Sequence, residues 1–350
     1  MRSVLLTGGS GFFGKSLLDA FRRGVLDTFG IQRMVIVARR ANRLRAEAPE
    51  LCSDRIELVD SDVVSLESTF GADVVIHAAA SADIPSYGAD PEGEAHVVVE
   101  GARHLWELAA RSPRRPRMLL VSSGAVYGRQ PASVMSMNEQ TPPHPDIDPA
   151  RQAYATAKRR AEETVIGLAA HSGLPTRIAR CFAFVGPWLP LGASFAVGNF
   201  LQSALRGEPI RVRAVHPVVR SYLHADDLAV WLMTLATADG ADAGEAYNVG
   251  SAEEVSIREL AGMVASIAGV GVLLPDQNAA SETGTPEQAD RYVPDVSKIR
   301  RKFGLSVTVP LRQAIESTFR VLAAGANCTA WGQRQLPLQE PSRASSAAGD

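Results

Sequence analysis

Short apolar runs alternate with amphipathic stretches along most of this chain. Val4-Leu5-Leu6, Met34-Val35-Ile36-Val37-Ala38 and residues 56–63, 73–80 and 117–123 read as strands, largely apolar on both faces. Residues 15–21 read as a helix after the first run. Residues 94–110 carry Val97, Val98, Leu105, Trp106, Leu108 and Ala109 at helical spacing before the fifth. Strands alternating with helices predict an α/β chain built on a doubly wound parallel sheet. Ligands of such sheets lie outside the C-terminal ends of the strands. Residues 130–149, rich in Pro, Met and Asp, read as a loop over the sheet edge.

Past residue 180 the pattern changes. Ile210-Arg211-Val212-Arg213 alternates like a strand, with both arginines on one face, toward solvent or, as the alternative, a nucleotide. Helices are expected over 228–235, opened and capped by Asp226-Asp227, and over 257–267 and 311–322. The expected division is a dinucleotide-binding domain at 1–180, to which some later segments return, and a smaller interleaved substrate lobe at 181–324. Residues 325–350 have little apolar content and read as a disordered tail.

Thr7-Gly8-Gly9-Ser10-Gly11-Phe12-Phe13-Gly14 joins the first strand to the first helix. Gly8 suits a tight turn, Gly11 lets a pyrophosphate approach the backbone, and Gly14 lets helix and strand pack closely. The helix-start N–H groups, those of Phe12 and Phe13 among them, then face the phosphates together with the helix dipole. GxxGxxG in this context predicts a dinucleotide site on a Rossmann-type sheet. An NAD-type unit would carry an acid at the end of the second strand, to accept from the ribose 2′-OH. Arg39-Arg40 stand there, suited to a 2′-phosphate, so NADP(H) is expected ahead of NAD(H). Asp62 and Val63 are positioned to read the adenine edge, with a loop-capping Asp62 as the equal alternative. Ala78-Ala79-Ala80 leave room for a cofactor, with Val121 expected beside it. His77 reads as a packed strand histidine.

Composition adds exclusions. A net charge of -2 gives no global basic field for nucleic acid or an anionic membrane. Cys52, Cys181 and Cys328 lie far apart and suggest neither a disulfide framework nor a metal site. No leader precedes the first strand, and no apolar run approaches the roughly 20 residues that span a bilayer. The expectation is a cytoplasmic chain without metal.

The chemistry-bearing residues follow the fifth strand. Ser122-Ser123 end it, and Tyr154-Ala155-Thr156-Ala157-Lys158 puts a phenol and an ammonium four apart on one helix face. An ammonium near a phenol favours phenolate and would lower the tyrosine pKa from about 10.

In order, the Thr7–Gly14 turn, Ser122-Ser123-Gly124-Ala125-Val126-Tyr127-Gly128, Tyr154-x-x-x-Lys158, Arg180-Cys181-Phe182-Ala183-Phe184-Val185-Gly186-Pro187, Arg220-Ser221-Tyr222-Leu223-His224-Ala225-Asp226-Asp227, Tyr247-Asn248-Val249-Gly250 and Asp295-Val296-Ser297-Lys298 with Phe303-Gly304-Leu305 resemble the extended short-chain dehydrogenases/reductases, the NAD(P)-dependent nucleotide-sugar epimerases and dehydratases. The resemblance covers residues 1–325. It implies Tyr154 as general acid/base, Lys158 lowering its pKa and holding the nicotinamide ribose, and Ser123 bonding the reacting sugar oxygen while hydride moves at C4. It implies Arg220 and Arg291 on the substrate's phosphates, with Ser81, Gly124, Ala125, Ala183 and Asn199 at the substrate. Departures carry information. Family dehydratases follow the serine position with Asp-Glu; here Gly124-Ala125 cannot transfer protons, which disfavours 4,6-dehydration unless Glu139 substitutes. Ala183 replaces a family Asn, as does Val98; Asn199 is a candidate replacement contact.

The reading is an NADP(H)-using epimerase or 4-keto-6-deoxy-sugar reductase for a dTDP-, CDP-, UDP- or GDP-hexose. The family suggests a homodimer through the helices at 94–110 and 151–168. The alternatives are a 4,6-dehydratase with altered acid/base residues and a non-catalytic dinucleotide-binding regulator, redox-sensing or RNA-binding.

Overall fold

The computed structural model describes residues 2–79, 84–146, 148–192, 195–240, 243–275 and 289–326. Its strands are β1 (Arg2–Thr7), β2 (Ile31–Ala38), β3 (Ile56–Asp60), β4 (Val74–His77), β5 (Arg117–Ser123), β6 (Thr176–Cys181), β7 (Phe184–Val185), β8 (Ile210–Arg211), β9 (Val218–Arg220), β10 (Leu223–His224), β11 (Ala243–Val249), β12 (Val255–Ser256), β13 (Val272–Leu273) and β14 (Asp290–Tyr292). The helices are α1 (Phe12–Arg22), α2 (Leu44–Glu47), α3 (Ile84–Ala89), α4 (Pro91–Arg111), α5 (Pro149–Ser172), α6 (Ala196–Leu205), α7 (Ala225–Thr237), α8 (Ile257–Ala268), α9 (Ser297–Phe303) and α10 (Leu311–Ala326).

Seven strands form one parallel sheet in the order β3-β2-β1-β4-β5-β6-β11. The order reverses between β1 and β4, the crevice where such sheets take their ligands. Both faces are buried, which explains the continuous apolar runs. Successive β1 side chains serve opposite cores: Val4 and Leu6 pack with Leu17, Leu18 and Trp231 from α1 and α7, while Leu5 packs with Leu105, Trp106 and Val165 from α4 and α5. A third core, from α6, α8, α10 and the short strands around them, makes the smaller lobe. β11 and α7 lie on the large sheet, so the chain crosses back to it after entering the lobe.

Local chemistry sets the helix that matters most. Asp148 caps α5, accepting from the Ala150 N–H at 2.9 Å, and Pro149 takes the first helical position, where no N–H is needed. Ala155, Ala157 and Ala161 are buried on its inner face, small enough for close approach. Gly173 ends the helix at φ +68°.

Several boundaries differ from expectation. β4 ends at His77, and the strand at 210–213 shrinks to Ile210–Arg211, with Arg211 and Arg213 exposed. Asp226 and Asp227 do not cap α7. His224 does, its Nδ1 accepting from the Asp226 N–H at 3.2 Å. Asp226 pairs with Arg23 instead, and Asp227 accepts from the backbone N–H groups of Thr308 and Val309, tying the approach to α10. α10 continues through Ala326; residues 327–350, which include most of the expected tail, lie outside the described residues.

Candidate active site

The turn after β1 shows why it needs its glycines. Gly8 has φ +77°, and a Cβ there would lie 2.5 Å from the Ala78 carbonyl oxygen, so the turn rests on the end of β4. A Cβ on Gly14 would lie 2.3 Å from Gly9 Cα, which makes the close helix–strand contact. Gly11 is different: its Cβ would meet only Gly8 O, at 3.5 Å, so the protein itself leaves that space open. No side chain caps α1 at Gly11, whose φ is −84°. Phe12 and Phe13 pack on Phe184, at ring distances of 6.2 Å and 5.4 Å, and fix the helix start. An open glycine beside uncapped N–H groups suits a dinucleotide's pyrophosphate.

The flanking residues meet expectation unevenly. Arg39 and Arg40 are exposed after β2, and neither side chain bonds or pairs with a described residue. The nearby acid, Asp60, accepts from the Asn42 N–H at 2.8 Å and is thereby held below the usual carboxylate range. Asp62 caps a short 3-10 turn at Val63–Ser65, accepting from Val64 N–H at 3.2 Å; Val63 is buried. Ala78 donates its N–H to Thr7 O at 3.2 Å, with Ala79 beyond. Ala80 and Ser81 lie outside the described residues. His77 is structural: its Nδ1 bonds Thr7 Oγ1 at 2.7 Å, its ring meets Trp106 edge-on, and burial pushes it down to about 3.

Ser123, Tyr154 and Lys158 converge where β5 ends. Tyr154 and Lys158 are only 8% and 6% exposed. The Ser123 side chain neighbours the Tyr154 phenol, and Ser123 Oγ accepts from Ala125 N–H at 3.1 Å. Lys158 Nζ donates to Val121 O at 3.4 Å and lies 5.8 Å from the Tyr154 ring centre. Tyr87, fully buried, meets the Tyr154 ring edge-on at 5.1 Å. The expected lowering of the phenol does not occur in this state. Burial pushes Tyr154 up to about 12, against the Ser123 hydroxyl, which lowers it. Burial likewise brings Lys158 down to about 8, against Cys181 and Glu162, which raise it. At neutral pH the phenol therefore holds its proton and the lysine its charge.

Behind this trio lies a buried polar network that the sequence reading missed. Glu162, one turn after Lys158, accepts from Ser122 Oγ at 2.6 Å and from the Arg180 guanidinium at 2.7 Å. Arg180 donates to Tyr127 Oη at 3.1 Å, and Tyr127 donates to Asn248 Oδ1 at 2.7 Å. Glu139 accepts the Asn248 N–H at 2.8 Å, which ties it to this scaffold.

The substrate-side residues come from several elements. Arg220 is engaged by Asp290, at 2.8 Å to the carboxylate and 2.7 Å to the carbonyl, and Arg291 pairs with Glu254. Ala183 is half-buried, its carbonyl accepting Leu223 N–H at 3.0 Å. Asn199 is exposed on α6. Gly124 and Ala125 follow Ser123, and Ala125 packs toward Tyr87 and Tyr154. Over Gly124 sits a residue the sequence reading passed by, Tyr292, whose hydroxyl lies beside the Ser123 side chain. Its only sequence signal is adjacency to Arg291. Among the described residues no group of three or more His, Cys, Asp or Glu is placed to hold a metal, and no helix is long and apolar enough to cross a membrane.

Comparison with known proteins places this geometry. The model of the NAD dependent epimerase/dehydratase family matches residues 4–250. UDP-glucuronic acid decarboxylase 1 of Xenopus tropicalis is 26% identical over 347 residues, 98% of this chain and 77% of that protein. The structure of UDP-glucose 4-epimerase from Thermotoga maritima with UDP-glucose aligns with a TM-score of 0.74 at 22% identity, covering 93% of this chain and 99% of that one. RMD from Pseudomonas aeruginosa complexed with NADPH aligns at 0.71 and 22%, covering 93% and 100%.

Proposed function

The chain belongs to the NAD dependent epimerase/dehydratase family, and on that premise we propose that it moves hydride at C4 of a nucleotide-linked hexose with NADP(H), as an epimerase or a 4-keto-6-deoxy-sugar reductase. One observation carries the proposal: Ser123, Tyr154 and Lys158 meet at the end of β5 while Gly124-Ala125 supplies no proton-transferring carboxylate. The bound dinucleotide supplies the hydride donor or acceptor. Gly8, Gly11, Gly14 and the N–H groups of Phe12 and Phe13 would hold its pyrophosphate, Asp62 and Val63 its adenine, and Ala78, Ala79 and Val121 its walls.

The residues do the rest. A ketone accepts hydride poorly until donors polarise its oxygen, and Ser123 and Tyr154 are such donors. Tyr154, protonated at neutral pH, gives its proton to the sugar oxygen in reduction and takes it back in oxidation. Lys158, buried beside it, offsets the negative charge that the phenol gains. Arg220 and Arg291, oriented by Asp290 and Glu254, are the binding groups for the nucleotide's phosphates. Arg39 and Arg40, exposed and paired with no described residue, support the choice of NADP(H).

A second reading is favoured by the curated relatives, UDP-glucuronic acid decarboxylases at 26–28% identity. A ketone at C4 is β to a C6 carboxylate, which then leaves as carbon dioxide without a protein carboxylate, so Gly124-Ala125 is compatible with it. A panel of UDP-galactose, dTDP-4-keto-6-deoxyglucose and UDP-glucuronic acid, each with NADH or NADPH and with the oxidised forms, separates the readings. Inverted sugar or NADPH consumption is the expected result. Carbon dioxide release from the uronic acid would favour the second reading, and a 4-keto-6-deoxy sugar formed from dTDP-glucose, included as a fourth substrate, would refute the first.

A further inference from the structure

Resting on the C4 reading above, we propose that Tyr292 is a third hydroxyl donor to the sugar oxygen that Ser123 and Tyr154 engage, and that its hydroxyl takes the space which a side chain at position 124 would need. Its hydroxyl sits over Gly124, the residue next to Ser123, and the Ser123 side chain neighbours both this phenol and Tyr154, so two phenols from distant parts of the chain converge on one serine. A Cβ on Gly124 would lie 2.6 Å from Tyr292 Oη and 2.8 Å from the Phe182 ring. A carboxylate at 124 and this phenol therefore exclude one another.

Tyr292 is well held. It ends β14, where it pairs with Arg220 on β9, and its ring lies 4.7 Å from that of Phe182. The next residue, Val293, donates its N–H to Gln130 at 3.0 Å, and Asp295 N–H reaches Met137 O at 2.8 Å. Burial keeps the phenol well above the ordinary tyrosine range, so Tyr292 donates a hydrogen bond and is not a base.

The chemistry gives a third donor a purpose. A ketone oxygen has two lone pairs, and an alkoxide has three. In reduction C4 gains a hydride from the nicotinamide, the C=O π pair becomes a lone pair on oxygen, and Tyr154 delivers the proton. Tyr292 keeps its own proton and bonds the lone pair that appears only as charge develops, which stabilises the transition state over bound ketone.

The test compares full-length wild type, Y154F and Y292F with dTDP-4-keto-6-deoxyglucose and NADPH, and with UDP-galactose and NAD. On the turned-over sugar, Y292F should lower kcat by about 100-fold, leave KM within about twofold, raise the primary isotope effect of 4-deuterated cofactor or substrate, and leave Tm unchanged because the ring remains. Full kcat in Y292F beside an inactive Y154F overturns this inference and leaves the C4 reading standing. A lower Tm with an unchanged isotope effect makes the hydroxyl structural and overturns it too. An active Y154F refutes the C4 reading and this inference with it.

Discussion

Lys158→Met tests the electrostatics of the site directly. The ammonium falls from 10.5 in a free chain to about 8 in the fold, mainly through burial. That 2.5-unit difference corresponds to about 3 kcal/mol, which the folded state loses whenever the lysine is charged. Below pH 8 the lysine is charged in both states, and the folded protein bears the full penalty. Between 8 and 10.5 the unfolded chain binds more protons, so unfolding free energy rises with pH; above 10.5 neither state is charged and the penalty is gone. Tyr154 acts in the opposite sense. Its pKa is raised to about 12, so the unfolded chain ionises first and stability falls as pH climbs from about 10 towards 12. Cys181, raised from 9.0 by burial, acts in the same sense as Tyr154 from about pH 9; wild type and variant share both groups, so their difference from pH 8 to 10 reports the lysine. Urea unfolding of cofactor-free protein, measured across that window, should find Lys158→Met more stable than wild type by about 3 kcal/mol near pH 7.5, with the gap closing by most of that amount at pH 10. The variant should also lose turnover, which makes the lysine a residue kept for chemistry at the expense of stability. A gap that does not change with pH would refute the assignment of the penalty to buried charge.

Three further outcomes follow from the geometry. Arg39→Ala with Arg40→Ala should raise KM for NADPH by roughly 10–100-fold, the worth of lost charge-assisted hydrogen bonds, and leave KM for NADH unchanged; steady-state kinetics with each cofactor checks it. Glu162→Gln leaves the Arg180 guanidinium, 18% exposed, without its counter-charge, and should cost about 3 kcal/mol in urea unfolding. It should also lower the Lys158 pKa further, since Glu162 raises it, and so steepen the pH dependence above. Val97 is 62% exposed on α4; if a homodimer forms through α4 and α5, Val97→Glu should shift sedimentation toward the monomer.

The sheet was legible because local rules and global fold agree in it. A strand buried on both faces must be apolar throughout, so Val4 to Leu6 and Met34 to Val37 announce themselves. The glycine turn was legible for a similar reason: only glycine fits against Ala78 at position 8 and against Gly9 at position 14. Asp226-Asp227 misled because an acid pair at a helix start has several ways to be satisfied. Here Arg23 and the Thr308–Val309 backbone take both carboxylates, and a histidine supplies the cap. Spacing along the chain carries no information about partners 81 residues away.

The same limit explains the tyrosine pair. Tyr154 is visible because its ammonium lies four residues on, within one helix. Tyr292 reaches the same serine through its pairing with β9 and a tilted contact with the Phe182 ring, each contributed by a different part of the chain. Burial, which decides both phenols' pKa, is likewise a property of the assembled core. The motif implied an acidified phenol, yet Tyr87, Ala157 and the Ser123 turn enclose Tyr154 so fully that desolvation outweighs the lowering by the Ser123 hydroxyl. Proximity to a cation predicts the sign of a pKa shift only where the charge's effect exceeds the cost of desolvation. In this chain the trio is dry, so its reactivity depends on what the buried lysine does when the phenol gives up its proton.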